Sequence, residues 1–515
     1  MKVTKQVVSL PIRRLGGLVG FLIVLSLGLQ TPAQVEAKTE SPWKPNERVP
    51  GYADETYTPF IVADRDHYVH AFATQWTGSG FRNGVVYRKW SLEEGWTTPV
   101  DILLSPMDSD AVIQGVYLDS TGMFHLLFYS GERTSKYIFY SQARVEKAAS
   151  ARAWSTPTII GTQAIEPSYA AISGDDEGNL AVIYSGNIAG GGVYSVYSTD
   201  SGSTWSDPET LFLTRDSRNT PFSLRIFPGQ NKTIHAVWNV VTNLGADVSL
   251  HYARYNLSEH RWSQPTTLNQ RADAGVGSFG PSYPSLVDTG KQVVVLYNSG
   301  NPFPNGPVEQ GRPMQVVSVS NDNGDTWTPP FIPFNRHQGR SGENTMALDS
   351  DNIPHALFIQ RIQVIENGEE RVIGGIWHSE FKDGLWSSPE RFITDYPAHD
   401  VRSVVVQGNI LFAVWRVDPG GPPHGIWYTY KTLDEEMRLP SVAYPTPVET
   451  ATAIADSFLG IPTPTLTPIP EGLLDRPILG TNSSPAAAIA SGVIPVIVIL
   501  IVLLVFFNKH QKGRP

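Results

Sequence analysis

Four arginines, Arg340, Arg361, Arg402 and Arg416, stand close to the carboxylates Glu343 and Asp400 in sequence, with Tyr283 in a preceding segment. A guanidinium is planar and permanently charged, and its paired donors match a carboxylate. Several on neighbouring elements would hold an anion. Arg340, Arg361, Arg402 and Arg416 are therefore the candidate substrate-binding set, with Glu343, Asp400 and Tyr283 as the candidate catalytic groups. The alternative is a rim of ordinary surface ion pairs, each worth little. Other chemistry is absent from the sequence. There are 0 cysteines, which excludes thiolate metal sites, iron–sulfur clusters, disulfide scaffolds and a cysteine nucleophile. No phosphate-binding glycine loop, zinc-protease motif or nucleophile elbow occurs. No metal or other cofactor is expected.

The elements that must position these residues repeat along the chain. Short apolar runs recur roughly every 53 to 59 residues: Tyr68–Trp76, Phe124–Tyr129, Leu180–Tyr184, Ile234–Trp238, Val293–Tyr297, Pro354–Phe358 and Leu411–Trp415. Their β-branched and aromatic content and their Gly, Asp and Asn boundaries read as strands. A second strand follows each, then a turn and, in six cases, Trp-x-x-Pro, from Trp96–Pro99 to Trp386–Pro389. Proline suits an outermost strand, which can spare a backbone donor. Four strands per unit at this spacing predict an all-β fold, a β-propeller of four-stranded blades. Seven blades are favoured, with Trp43-Lys-Pro45 supplying the missing outer strand; six is the alternative. The recurring His70, His125, His235 and His355 read as structural, because equivalent blade positions lie far apart around a ring. The aromatics ending the apolar runs read as packing, with some able to reach the mouth and stack on sugars.

Two turns are nearly identical: Ser198-Thr-Asp200-Ser-Gly202-Ser-Thr204-Trp205 and Ser320-Asn-Asp322-Asn-Gly324-Asp-Thr326-Trp327. Glycine takes the positive φ of a tight turn, the aspartate accepts its backbone donors, and the tryptophan packs between sheets. This pattern resembles the Asp-box (BNR) repeat of sialidase-superfamily propellers, over about residues 43–435. The resemblance implies that Asp200, Gly202, Trp205, Asp322, Gly324 and Trp327 are structural and peripheral. It also implies an arginine clamp on a substrate carboxylate, a Tyr–Glu nucleophile pair and an Asp acid/base. The family's Arg-Ile-Pro motif is missing. The nearest string, Arg225-Ile-Phe-Pro228, has an extra Phe and follows the first full Asp box.

The ends give an address. A basic start, the apolar stretch Leu15–Leu29 and Val35-Glu36-Ala37 read as a secretory signal over 1–37. Residues 436–485 are Pro/Thr-rich and read as a stalk. Residues 486–507 carry no charge and are followed by the basic tail 508–515, which predicts a single span with a cytoplasmic C-terminus. The net charge of −10 argues against nucleic acid partners. The expected molecule is a cell-surface exo-glycosidase of sialidase type acting on sialylated glycans. The alternative is a non-catalytic propeller that binds a surface glycan or protein.

Overall fold

The computed structural model describes residues 42–437, apart from 79–81, 133–134, 166–168, 231, 272–279, 301–312, 336, 338, 340, 367–368, 394–397 and 418–423. The expected signal, the apolar run 486–507, the basic tail and nearly all of the stalk lie outside the described residues. No helix among those described is long and apolar enough to cross a membrane.

The described chain is all-β, and its strands fall into successive antiparallel groups of one design. In the first, Phe60–Ala63 pairs with Val69–Trp76, which pairs with Asn83–Ser91, with Val100–Leu103 outermost. The innermost strands of the groups that follow are Val112–Leu118, Ala170–Gly174, Asn219–Pro228, Ser282–Asp288, Ser341–Leu348 and Ala398–Val406. Each inner strand packs beside the next, and Ala398–Val406 returns to Phe60–Ala63. The seven groups thus close into a propeller-like ring about an axis. The second and third groups are joined by one bridge, Ala164 to Gly186.

The second strands lie between neighbouring sheets, so both faces are covered and the sequence loses its alternation. Every residue of Leu180–Gly186 and of Val293–Ser299 is buried. The six prolines of Trp-x-x-Pro stand immediately before the outer strands, at Val100, Thr158, Glu209, Thr266, Phe331 and Glu390. They mark the entrance to the edge rather than its middle.

The last group borrows its outer strand from the other end of the chain. Glu47 pairs with Tyr428 and Arg48 with Trp427, and Trp43 bridges to Lys431. Trp43 is buried and stacks on Phe392 with ring centres 3.9 Å apart. This covers the outer edge of the strand Gly425–Thr432, which would otherwise stay open.

The ring has two distinguishable ends. The inner strands begin, and the second strands finish, at one end, here called the mouth. The Asp boxes follow the third strands and therefore sit at the opposite end. Thr204 N donates to Asp200 Oδ1 at 2.8 Å, and Ser198 Oγ donates to the same oxygen at 2.8 Å. Thr326 N and Ser320 Oγ repeat this on Asp322, both at 2.8 Å. Gly324 has φ +90°, and a Cβ there would run into the Tyr252 hydroxyl. That hydroxyl in turn bonds His235 Nδ1 at 2.7 Å. His70 and His125 likewise bridge a carboxylate, Asp64 or Asp119, to a tyrosine hydroxyl, Tyr87 or Tyr140. His355 sits between Asp349 and His378. The recurring histidines are buried connectors, each within its own network.

Candidate functional site

Five inner strands break register near the mouth: between Ile113 and Gly115, Phe222 and Arg225, Ser282 and Ser285, Ser341 and Asn344, and Ala398 and Val401. A bulge places an extra residue opposite one partner and re-aims a side chain. The residues inserted include Gln114, Ser223, Tyr283, Glu343 and Asp400. Ser223 and Tyr283 are forced to φ of 47° and 49°, a region most non-glycine residues avoid. Tyr283, Glu343 and Asp400 thus occupy equivalent bulges on three consecutive inner strands.

Beneath them lies an axial cavity of about 220 Å³ with lining residues from all seven inner strands. Arg225 Nη2 reaches Glu343 Oε1 at 3.2 Å, and their side chains are 26% and 15% exposed. Arg402 places its guanidinium 3.6 Å from the centre of the Phe60 ring, and its buried Nε has no partner among the described residues. Thr58 donates its hydroxyl to Asp400 Oδ2 at 3.3 Å.

The electrostatics follow from this burial. Desolvation raises the Glu343 carboxyl above the ordinary carboxylate range; Arg225 opposes the rise and Asp400 reinforces it. Burial lowers Arg402 to about 10, with Glu343 resisting the change, so it stays charged at neutral pH. Burial also raises the Tyr169 phenol, and Glu343 adds to that while Arg225 opposes it. Tyr169 packs edge-on against Phe222 at 4.5 Å.

The bulges are pinned from behind. Asn298 Nδ2 donates to the Gly342 carbonyl at 2.7 Å, and Asn344 Nδ2 to the Tyr283 carbonyl at 3.2 Å. Both asparagines are buried. They hold the backbone on which Glu343 and Tyr283 stand.

Of the residues proposed from sequence, Glu343, Asp400 and Arg402 come together here, and Tyr283 stands in the adjoining bulge and acts electrostatically on Tyr169. Arg416 instead has its guanidinium 5.3 Å from the Tyr57 ring centre. Arg361 lies in the strand Pro354–Glu366, paired with Gly374. Arg340 lies outside the described residues. The Asp-box residues are at the far end. Sequence reasoning missed Arg225 and Tyr169. Arg225 had a signal, the imperfect Arg-Ile-Phe-Pro string; Tyr169 had none beyond its place before an inner strand.

No protein-family model matches this chain, and no curated protein does. Solved structures do resemble it. One is an ulvan lyase, a polysaccharide lyase solved bound to a GlcA–Rha3S sugar, at 10% identity and TM-score 0.48, covering 81% of this chain and 100% of that one. Another is the intramolecular trans-sialidase of Ruminococcus gnavus with oseltamivir carboxylate, at 11% identity and TM-score 0.41, covering 76% and 97%. A third is the NanB sialidase of Streptococcus pneumoniae, at 10% identity and TM-score 0.40, covering 76% and 71%.

Proposed function

We propose that the mouth of the ring binds a carboxylate-bearing sugar and cleaves its glycosidic bond. The observation that carries this reading is the half-buried Arg225–Glu343–Arg402–Asp400 cluster over the axial cavity. Arg225 and Arg402 hold the substrate carboxylate. In its protonated form, which burial favours, Glu343 donates its proton to the leaving oxygen while its other oxygen still accepts from Arg225; water adds to the carbon that loses that oxygen, and Asp400 takes the water's proton. When Glu343 carries its proton, two guanidiniums face one carboxylate, and the excess positive charge favours an anionic ligand. Asp400 and Tyr283 line the approach, and Tyr169 joins them. This is the sialidase-type expectation with Arg402 kept from the proposed clamp and Arg225 in place of Arg340, Arg361 and Arg416.

One observation favours a second reading, a non-catalytic glycan- or protein-binding surface. Arg225 and Glu343 already pair with each other, and Glu343 bonds Arg225 rather than a tyrosine among the described residues. On either reading the ring stands outside the cell, held by the run 486–507. Protease shaving of intact cells tests that placement, since an intracellular ring would stay intact.

The activity test is incubation of the full-length protein with α-sialosides, uronic acid glycosides and neutral glycosides. Released reducing ends and unsaturated ends are both scored. Cleavage of acidic substrates only, lost in Arg402→Ala, is the expected result. Cleavage of neutral glycosides alone removes the carboxylate-clamp reading. Acidic sugars bound but not cleaved favour the binding surface.

A further inference from the structure

We propose that Tyr57 and Trp76 form a second sugar subsite, a stacking platform for the next residue of the same acidic glycan. The proposal rests on the axial cluster being the acidic-sugar site. Trp76 is the last residue of its second strand, at the mouth end, and is 54% exposed. The aromatics that close the comparable runs are not: Tyr184, Trp238, Tyr297 and Phe358 are 0% exposed and Trp415 is 1%. Trp76 also lies farther beyond its histidine than Trp238 or Phe358 does, and the buried Ala73 fills the matching place. It is therefore no member of the packing series.

Tyr57 stands at the same end of the first sheet and is 45% exposed. Its backbone is fixed: Tyr57 N donates to the Thr74 carbonyl at 3.1 Å, and Thr56 Oγ1 to Gln75 Oε1 at 2.7 Å. With the backbone already ordered, a ligand that covers the ring has only the side chain's own freedom to take up. The patch is tied to the axial cluster through the next residue, Thr58, whose hydroxyl bonds Asp400. Arg416 borders it over the Tyr57 ring, with a buried Nε that lacks a partner among the described residues. Exposed flat rings offer the apolar face that a pyranose C–H surface packs on. The flanking cation suits a chain carrying further negative charge. The occupant is thus a glycan of two or more residues whose acidic end lies at Arg225 and Arg402.

The test is calorimetry on the full-length protein in a detergent without sugar headgroups, with Glu343→Gln in every chain to prevent cleavage. The probes are methyl α-sialoside against α2,3-sialyllactose, and methyl glucuronide against a glucuronate-terminated tetrasaccharide. The longer member of a pair is expected to bind about three- to tenfold more tightly. Trp76→Ala and Tyr57→Ala should each remove most of that gain and leave the monosaccharide unchanged. Trp76→Phe should keep part of it. Equal affinity for short and long probes, unaltered by these substitutions, overturns the platform and leaves the axial site standing. A parallel loss for both members of a pair also overturns it, because the rings would then act only through structure. Binding of no probe, with the wild type equally silent, overturns the axial reading and the platform together.

Discussion

Glu343 is the residue on which the proposed chemistry turns. Its carboxyl is raised above the ordinary range by burial, so its neutral, proton-donating form persists to higher pH than in a free carboxylate. Turnover should therefore be present at low pH and fall as pH rises through the raised value. Glu343→Gln keeps the shape and the Arg225 contact but cannot give up a proton. It should reduce turnover by about 10²- to 10⁴-fold while acidic sugars still bind, which paired kinetic and binding measurements would show. A small loss of rate would remove Glu343 as the acid. At this scale the sequence was partly readable. Glu343, Asp400 and Tyr283 were picked out as candidates because segments at the mouth are where a propeller presents its side chains, and the structure sets all three in bulges there. Arg225 was passed over because its motif carries an extra residue, and only the bulge at Ser223 and Leu224 reveals where its side chain goes.

The elements divide into those that hold the ring and those that shape its mouth. Second strands are legible as continuous apolar runs because both of their faces are covered. Inner strands are not: Phe60–Ala63 is short, and bulges interrupt the alternation in five others. The Asp box belongs to the holding elements. Gly324→Ala would place a Cβ at φ +90° against the Tyr252 hydroxyl. The left-handed backbone alone costs roughly 1–2 kcal/mol, and the clash adds to it. Urea unfolding should register the loss, with affinity for acidic sugars unchanged. A change in affinity would tie the far end to the site. Trp43→Ala removes the buried ring that stacks on Phe392 at the closure. The cost expected for such a truncation is about 3–5 kcal/mol. A near-neutral result would mean that Glu47–Arg48 closes the ring without it.

The whole molecule carries its polar connectors inside, and this gives it a pH dependence of its own. Burial lowers His251 and His337 to about 4, and the neighbouring Arg215 adds to the shift at His251. In the unfolded chain both sit near 6.5, so between these values the unfolded state binds more protons. Stability should then be full above about pH 6.5 and decline as pH falls toward about 4, by roughly 3 kcal/mol per histidine at most. Thermal unfolding across that window checks it, and a flat profile would contradict the burial. The all-β fold was readable from the repeat; the closing strand, expected at Trp43–Pro45, lies at Glu47–Arg48, and Trp43 adds only a bridge to Lys431. The axial cavity was not, because it arises only when seven inner strands converge.

The most direct test of the central claim is a crystal structure of the protein soaked with an acidic monosaccharide. The account predicts the sugar at the mouth, its carboxylate within hydrogen-bond reach, about 3 Å, of both Arg225 and Arg402 and its ring over Glu343. A sugar bound at the Asp-box end, or at the mouth with neither guanidinium in reach of its carboxylate, would contradict it.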